Sequence, residues 1–280
     1  MRSHPLFAPW FSLAPALTIV MVLLGASLWY AVAESLGVIG AIGQNQPSFS
    51  AYRAAFLPAS EFWLSLTFSL WVSLAATILS AAGALILAVW LSERNSGGFA
   101  LHWNLAFPHL VWSVVLLLIL SQSGLFSRWA AALGLISTPA EFPVLVRDRF
   151  GIGILLSYIG KEIPFLTITI LSVLRSQPVG YDVVAENLGA SRWQRLRYIT
   201  LPQVMPALLA GSLLVFGFIF SSYEVPALLG VGYPRALPVL ALRYFLDPDL
   251  RLRPTGMVIS LVITAVTLVV AVASLRMGEK

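Results

Sequence analysis

Three ionisable side chains stand where the surrounding sequence is otherwise apolar, and chemistry is sought there first. Lys161 and Glu162 lie near the middle of the stretch from Phe150 to Leu174, and Glu224 is the only formal charge between Arg197 and Arg235. An ionisable residue inside hydrocarbon costs roughly 2.5–3.5 kcal/mol on insertion scales, so each marks a functional path or a paired site. Adjacent helical residues point about 100° apart, so Lys161 and Glu162 do not face each other and each needs another partner. Three readings follow. Lys161 reaches Glu224 and leaves Glu162 towards a water-filled path; Tyr223 and Glu224 form a gate or solute contact near the outer end; or all three charges serve structural pairing alone. Pro164 and Pro226 are expected to kink their helices, either freeing carbonyls that line the path or simply bending the helices for packing.

Other chemistries lack their residues. The chain has no cysteine, which removes disulfides, thiolate metal sites and a cysteine nucleophile. Gly160-Lys161 is followed by Glu162 and lacks the upstream glycine of a phosphate-binding loop, so ATP hydrolysis by this chain is not expected. Neither H-E-x-x-H nor G-x-S-x-G occurs. His102 and His109 are seven residues apart without a third ligand, and no metal or other cofactor is expected on this chain. The net charge of +5 comes without a long Lys/Arg run, which argues for a lipid surface and a soluble partner rather than nucleic acid.

The elements that must position these residues are drawn by the charges. Of 280 residues, 59% are hydrophobic and only 10% charged, against roughly 25% in a soluble domain. Since a helix crossing the bilayer needs about 20 mostly apolar residues, the charge-free runs read as spans. They are Phe11 to Val32, Phe62 to Leu91, a run centred on Leu105 to Leu120, Met205 to Leu229 and Pro254 to Leu275. Phe150 to Leu174 is a further span in spite of its charges, making an all-α integral membrane protein of six transmembrane helices. The first run is too long for a signal-peptide core. Glu34 to Ser60 and Val231 to Arg253 read as external loops, and Trp129 to Ile136 as a short interfacial helix. Six spans put both termini on one side. Counting Lys and Arg does not decide which, but the density of arginines from Arg175 to Thr200 favours that loop as cytoplasmic.

That loop has a recognisable local grammar. Asp182 is placed to cap a helix running to Leu188, Gly189 to end it in a left-handed conformation, and Ser191 to cap a second short helix that ends before Pro202. The exposed face of this helix–turn–helix is expected to offer Glu186, Arg192 and Arg195, with Leu188, Leu196 and Ile199 available for packing.

The segment resembles the coupling loop of permease subunits from binding-protein-dependent ABC importers, whose pattern is E-A-A-x3-G-x9-I-x-L-P. Gly189 is followed by nine residues and then Ile199, Thr200, Leu201 and Pro202; Ala185 matches the second alanine, and Leu188-Gly189-Ala190-Ser191 is the usual form around the glycine. Val183 and Val184 replace the family's Glu and Ala, leaving Asp182 or Glu186 to supply the charged contact. The resemblance implies a type I permease architecture, with an N-terminal helix and external loop (1–60) before a five-helix core (61–280) whose coupling loop occupies about 175–204. It also implies a multi-pass protein of the bacterial inner membrane with cytoplasmic termini, a second and different permease subunit, two ATPase subunits carrying ATP and Mg, and an extracytoplasmic solute-binding protein. In that setting Ala185, Glu186, Leu188, Gly189, Ala190, Ser191, Arg192, Ile199, Leu201 and Pro202 contact or shape the ATPase-coupling surface. Lys161, Glu162, Pro164, Tyr223 and Glu224 are the candidates for the translocation path. Tyr223 to Gly230 resembles the polyamine, thiamine, ferric iron and sulfate permeases, and the two acids favour a cationic solute such as a polyamine or thiamine. The alternative is an ion-coupled secondary transporter or channel that works without an ATPase.

Overall fold

The computed structural model describes residues 8–39, 46–92, 98–176 and 181–278. In chain order the α-helices are α1 (Ala8–Ser35), α2 (Ser50–Phe56), α3 (Glu61–Ser92), α4 (Gly98–Ala106), α5 (His109–Leu120), α6 (Leu125–Ala132), α7 (Ile152–Ser176), α8 (Tyr181–Asn187), α9 (Arg192–Arg195), α10 (Leu201–Ser221), α11 (Glu224–Leu229), α12 (Leu237–Phe245) and α13 (Arg253–Gly278). No strand occurs among the described residues. Among the described residues six helical stretches are long and apolar enough to cross a membrane: Leu13–Ser35, Glu61–Ser92, His109–Ala132, Ile152–Ser176, Arg192–Ser221 and Leu250–Met277. They correspond to the six expected spans.

Residues 61–239 with 263–280 form the larger of two compact units. At its centre α3, α7 and α10 pack together. The buried face of α3 carries a row of small residues, Ser65, Ser69, Ser73, Ala76, Ser80, Ala84 and Ala88, together with Phe62, Phe68, Val72, Thr77 and Leu91. Between membrane helices apolar burial drives little association, because lipid is as apolar as the core; small side chains let backbones approach and gain dispersion contacts instead. Gly83 on the same helix lies so close to α7 that a Cβ there would sit 2.7 Å from Ile163 Cδ1. Ser69 also accepts the Leu237 N–H at 2.7 Å, satisfying a donor at the start of α12 that no helical carbonyl can reach.

The smaller unit contains residues 1–60 and 240–262. Ala51 and Ala55 of α2 pack with Val258 of α13, and Ser35 Oγ lies 2.9 Å from the Tyr52 hydroxyl. Glu34 is buried in the last turn of α1, with Arg253 Nε 3.4 Å from its carboxylate.

Several boundaries differ from those read off the sequence. Pro164 does not interrupt α7, which runs unbroken from Ile152 to Ser176. The break comes instead in the third span, at Phe107-Pro108, where Pro108 precedes the first turn of α5. The fifth span begins at Arg192 and ends at Ser221 rather than at Leu229. Pro226 is therefore no kink: it is the third residue of α11, where no intrahelical donor is required of it. The apolar run Trp129 to Ile136 is helical only to Ala132, as the end of α6. Both segments read as external loops contain helices, α2 in one and α12 in the other.

Candidate functional sites: a loop clamp and a membrane-embedded polar cluster

The arginine-rich loop is built by local hydrogen bonds. Gly189 adopts φ +81°, the left-handed region that costs an L side chain strain. Its N–H donates to the Glu186 carbonyl at 2.9 Å and the Ala190 N–H to the Ala185 carbonyl at 2.9 Å, the paired bonds of a Schellman ending on α8. Ser191 then caps α9: its Oγ accepts the Gln194 N–H at 3.3 Å and its own N–H donates to Gln194 Oε1 at 2.8 Å. Arg195 Nη1 donates to Glu186 Oε2 at 2.7 Å, tying the two short helices to each other. The result is a turn pinned on both sides, able to move as one body.

The expected surface chemistry of this loop is partly reversed. Glu186 and Arg195 spend their charges on each other, so Glu186 does not stand in simply as a free replacement for the family's glutamate. Leu188, expected to pack, is instead 82% exposed, while Leu196 and Ile199 are half-buried. Trp193 and Tyr198 are exposed, as is Arg192, so the loop presents apolar and aromatic side chains as well as charge. The side chains of Asp182 and Val183 lie outside the described residues. The second helix also fails to stop before Pro202. Leu196–Thr200 forms a π-helical turn whose wider ladder sends the Leu201 N–H to the Leu196 carbonyl, and the helix continues into α10 with Pro202 in its first turn, where a missing N–H costs nothing.

Lys161 and Glu162 both lie on the buried face of α7 and point to different partners. Lys161 Nζ donates to the main-chain carbonyls of Asn104 and Phe107, each at 2.6 Å. These carbonyls belong to the end of α4 and the break after it, where helical donors run out. Glu162 Oε1 lies 3.1 Å from His109 Nε2, at the first residue of α5. Glu162 is thus buried against His109. Pro164 has no N–H for the Gly160 carbonyl one turn back. That carbonyl is not left to line a path either; it accepts the Asn104 side-chain amide at 3.0 Å. A hydroxyl pair, Ser113 Oγ and Ser157 Oγ at 3.0 Å, adds a further link between α5 and α7.

Glu224 is not brought to Lys161 as a salt-bridge partner. It opens α11 just after the Ser222-Tyr223 break, and Tyr223 and Glu224 are both exposed. Phe218 packs beside the His109 cluster, its ring centroid 4.8 Å from His109 and 6.4 Å from the fully buried Tyr158. Asn104 and Tyr158 were not singled out from the sequence, and His109 was weighed there only as a metal ligand. The proline at position 164 implied an acceptor needing a donor at Gly160, but nothing local indicated that Asn104 would supply it. Among the described residues no group of three or more His, Cys, Asp or Glu is placed to hold a metal, and His102 and His109 lie on separate helices.

Residues 143–277 match the family model described as the binding-protein-dependent transport system inner membrane component. The chain is 31% identical over 205 residues to the inner membrane ABC transporter permease protein YnjC of Escherichia coli (strain K12), covering 70% of this chain but only 38% of YnjC. It is 29% identical over 196 residues to the putrescine transport system permease protein PotI of the same strain, covering 68% of this chain and 64% of PotI. A solved bacterial ABC transporter involved in import of the acidic polysaccharide alginate shares the fold, with a TM-score of 0.72 at 18% identity over 96% of this chain and 98% of that one.

Proposed function

Since this chain belongs to the inner-membrane permease family of binding-protein-dependent ABC importers, we propose that it is one membrane-spanning subunit of an ATP-driven importer and that the loop from Tyr181 to Arg195 receives the force of ATP binding. The observation that carries the proposal is the pairing of a hydrogen-bonded clamp with an exposed apolar tip. Gly189, Ser191 and the Glu186–Arg195 bond hold the loop, and Leu188 projects from it at 82% exposure. An apolar side chain on a rigid turn suits a partner's groove, and a turn that does not deform transmits displacement to α10. The ATPase subunits hold ATP and Mg; this chain contributes no catalytic group. A second permease subunit completes the path, an extracytoplasmic binding protein supplies solute, and both termini are cytoplasmic.

The solute reading rests on Glu224. With Glu162 engaged by His109, Glu224 is the acid of the original pair that remains exposed, and it supports a small organic cation, as does the likeness to a putrescine permease. Co-purification tests the class. The chain is expected to retain its ATPase, and Leu188→Asp, a change at an exposed position, is expected to release it without unfolding the chain. Solute uptake by this chain reconstituted without an ATPase would overturn the proposal in favour of an ion-coupled transporter or channel. Thermal shifts of the cognate binding protein with putrescine, thiamine and sulfate test the solute; a response to sulfate alone would reject the cation reading.

A further inference from the structure

An open apolar groove of about 740 Å3 lies at the foot of α3, apart from both the polar cluster and the tip of the loop. Ile86, Val89 and Trp90 line one side; Trp193, Leu196 and Arg197, where α9 enters the π-helical turn, line the other. Ile86 is 71% exposed and Trp193 67%, so neither side is covered by this chain.

Depth indicates what covers it. At ~1.5 Å per residue the 32 residues of α3 extend about 48 Å, well beyond ~30 Å of hydrocarbon. Charge resumes at Glu93 and Arg94 directly after α3, which sets its last turns at the headgroup edge, the level at which tryptophan is favoured. The lining combines the aliphatic side chains of Ile86 and Val89 with two indoles, Trp90 and Trp193, and the exposed Arg197. Aliphatic side chains and a guanidinium lining one groove match an amphiphile with a hydrocarbon tail and an anionic head. We propose that the groove holds one anionic phospholipid, its acyl chain against α3 and its phosphate at Arg197. Such a lipid touches both α3 and the base of the loop and so braces the loop against the membrane helices. The inference needs only the membrane placement of the chain and does not depend on its coupling to an ATPase.

Native mass spectrometry of the membrane-purified complex, delipidated and then titrated with phosphatidylglycerol or phosphatidylcholine, tests the proposal. Wild type is expected to retain one more phosphatidylglycerol than Arg197→Gln, whose affinity for that lipid should fall about 5-fold, the effect of one arginine at an anionic surface, with phosphatidylcholine unaffected. Ile86→Trp, which fills the groove, should reduce retention of both lipids, and Arg197→Lys should preserve phosphatidylglycerol. Equal retention of the two lipids by wild type, or unchanged phosphatidylglycerol binding in Arg197→Gln, would overturn it. The chain has no cysteine of its own, so Ile86→Cys gives a clean further readout: efficient crosslinking to a second permease subunit would assign the groove to protein and also reject the lipid. These readouts need neither ATP nor solute, so their failure is separable from failure of the transport reading.

Discussion

Asn104 and Lys161 bind reciprocally across two helices: the Lys161 ammonium donates to the Asn104 carbonyl at 2.6 Å, and the Asn104 side chain donates to the carbonyl of Gly160, the residue before Lys161, at 3.0 Å. Prolines account for both acceptors. Pro108 cannot donate to the Asn104 carbonyl and Pro164 cannot donate to that of Gly160, so each proline leaves a main-chain oxygen short of its helical partner. The Phe107 N–H reaches the Asn104 carbonyl only at 3.3 Å, and Lys161 supplies the shorter bond. The charge in this span thereby closes a broken helix.

Asn104→Ala should destabilise the protein by roughly 1 kcal/mol, the low end of the cost of unpairing a buried carbonyl, since this one is part-buried. Pro164→Ala restores an N–H within reach of that carbonyl and should recover most of the loss in the double variant. Thermal unfolding of the detergent-solubilised protein measures both. An Asn104→Ala defect that Pro164→Ala leaves untouched would show that the Gly160 carbonyl is not what Asn104 serves.

Lys161→Met should cost stability on a similar scale, because two carbonyls lose a charged donor, while Glu224→Gln at an exposed position should change stability by less than about 0.5 kcal/mol. The double variant should show simple additivity. A coupling energy above about 1 kcal/mol would instead indicate a direct Lys161–Glu224 pair.

Gly189→Ala meets no atom within 4 Å, so its penalty is the backbone alone. About 1–2 kcal/mol is expected for an L residue held at this positive φ, and less for Gly189→Asn. Hydrogen exchange of residues 181–195 should rise in the order wild type, Asn, Ala, and ATPase retention should fall in the same order. Equal exchange in all three would mean that the left-handed turn is not what holds the loop.

Outside the spans, hydrogen bonding from the Ser137 N–H, with help from Thr138, holds the Glu141 carboxyl below its usual range. A lowered folded value favours the turn above the ordinary glutamate range, and that support is lost as pH falls through the lowered value. Protection of the Ser137 amide should therefore be flat near neutrality and decline only in acid, and Glu141→Gln should flatten that profile. An unchanged acid profile in Glu141→Gln would exclude this carboxylate as its source.

The count of six spans was determined by sequence alone, because hydrocarbon excludes unpaired charge and the charge-free runs mark where the chain can enter it. The turn at Gly189 and the cap at Ser191 were equally legible, since their hydrogen bonds close within a few residues. Tertiary structure decided the rest. The carbonyls that receive Lys161 lie 54 and 57 residues away in sequence, and the π-helical turn that carries the chain past Pro202 has no signal in a motif defined by spacing. Leu188 is hydrophobic in either context; whether it is buried or offered to a partner depends on where the clamp directs it. Apolar periodicity records a residue's preference for leaving water, whereas the identity of a buried charge's partner depends on which broken helix end the fold brings beside it.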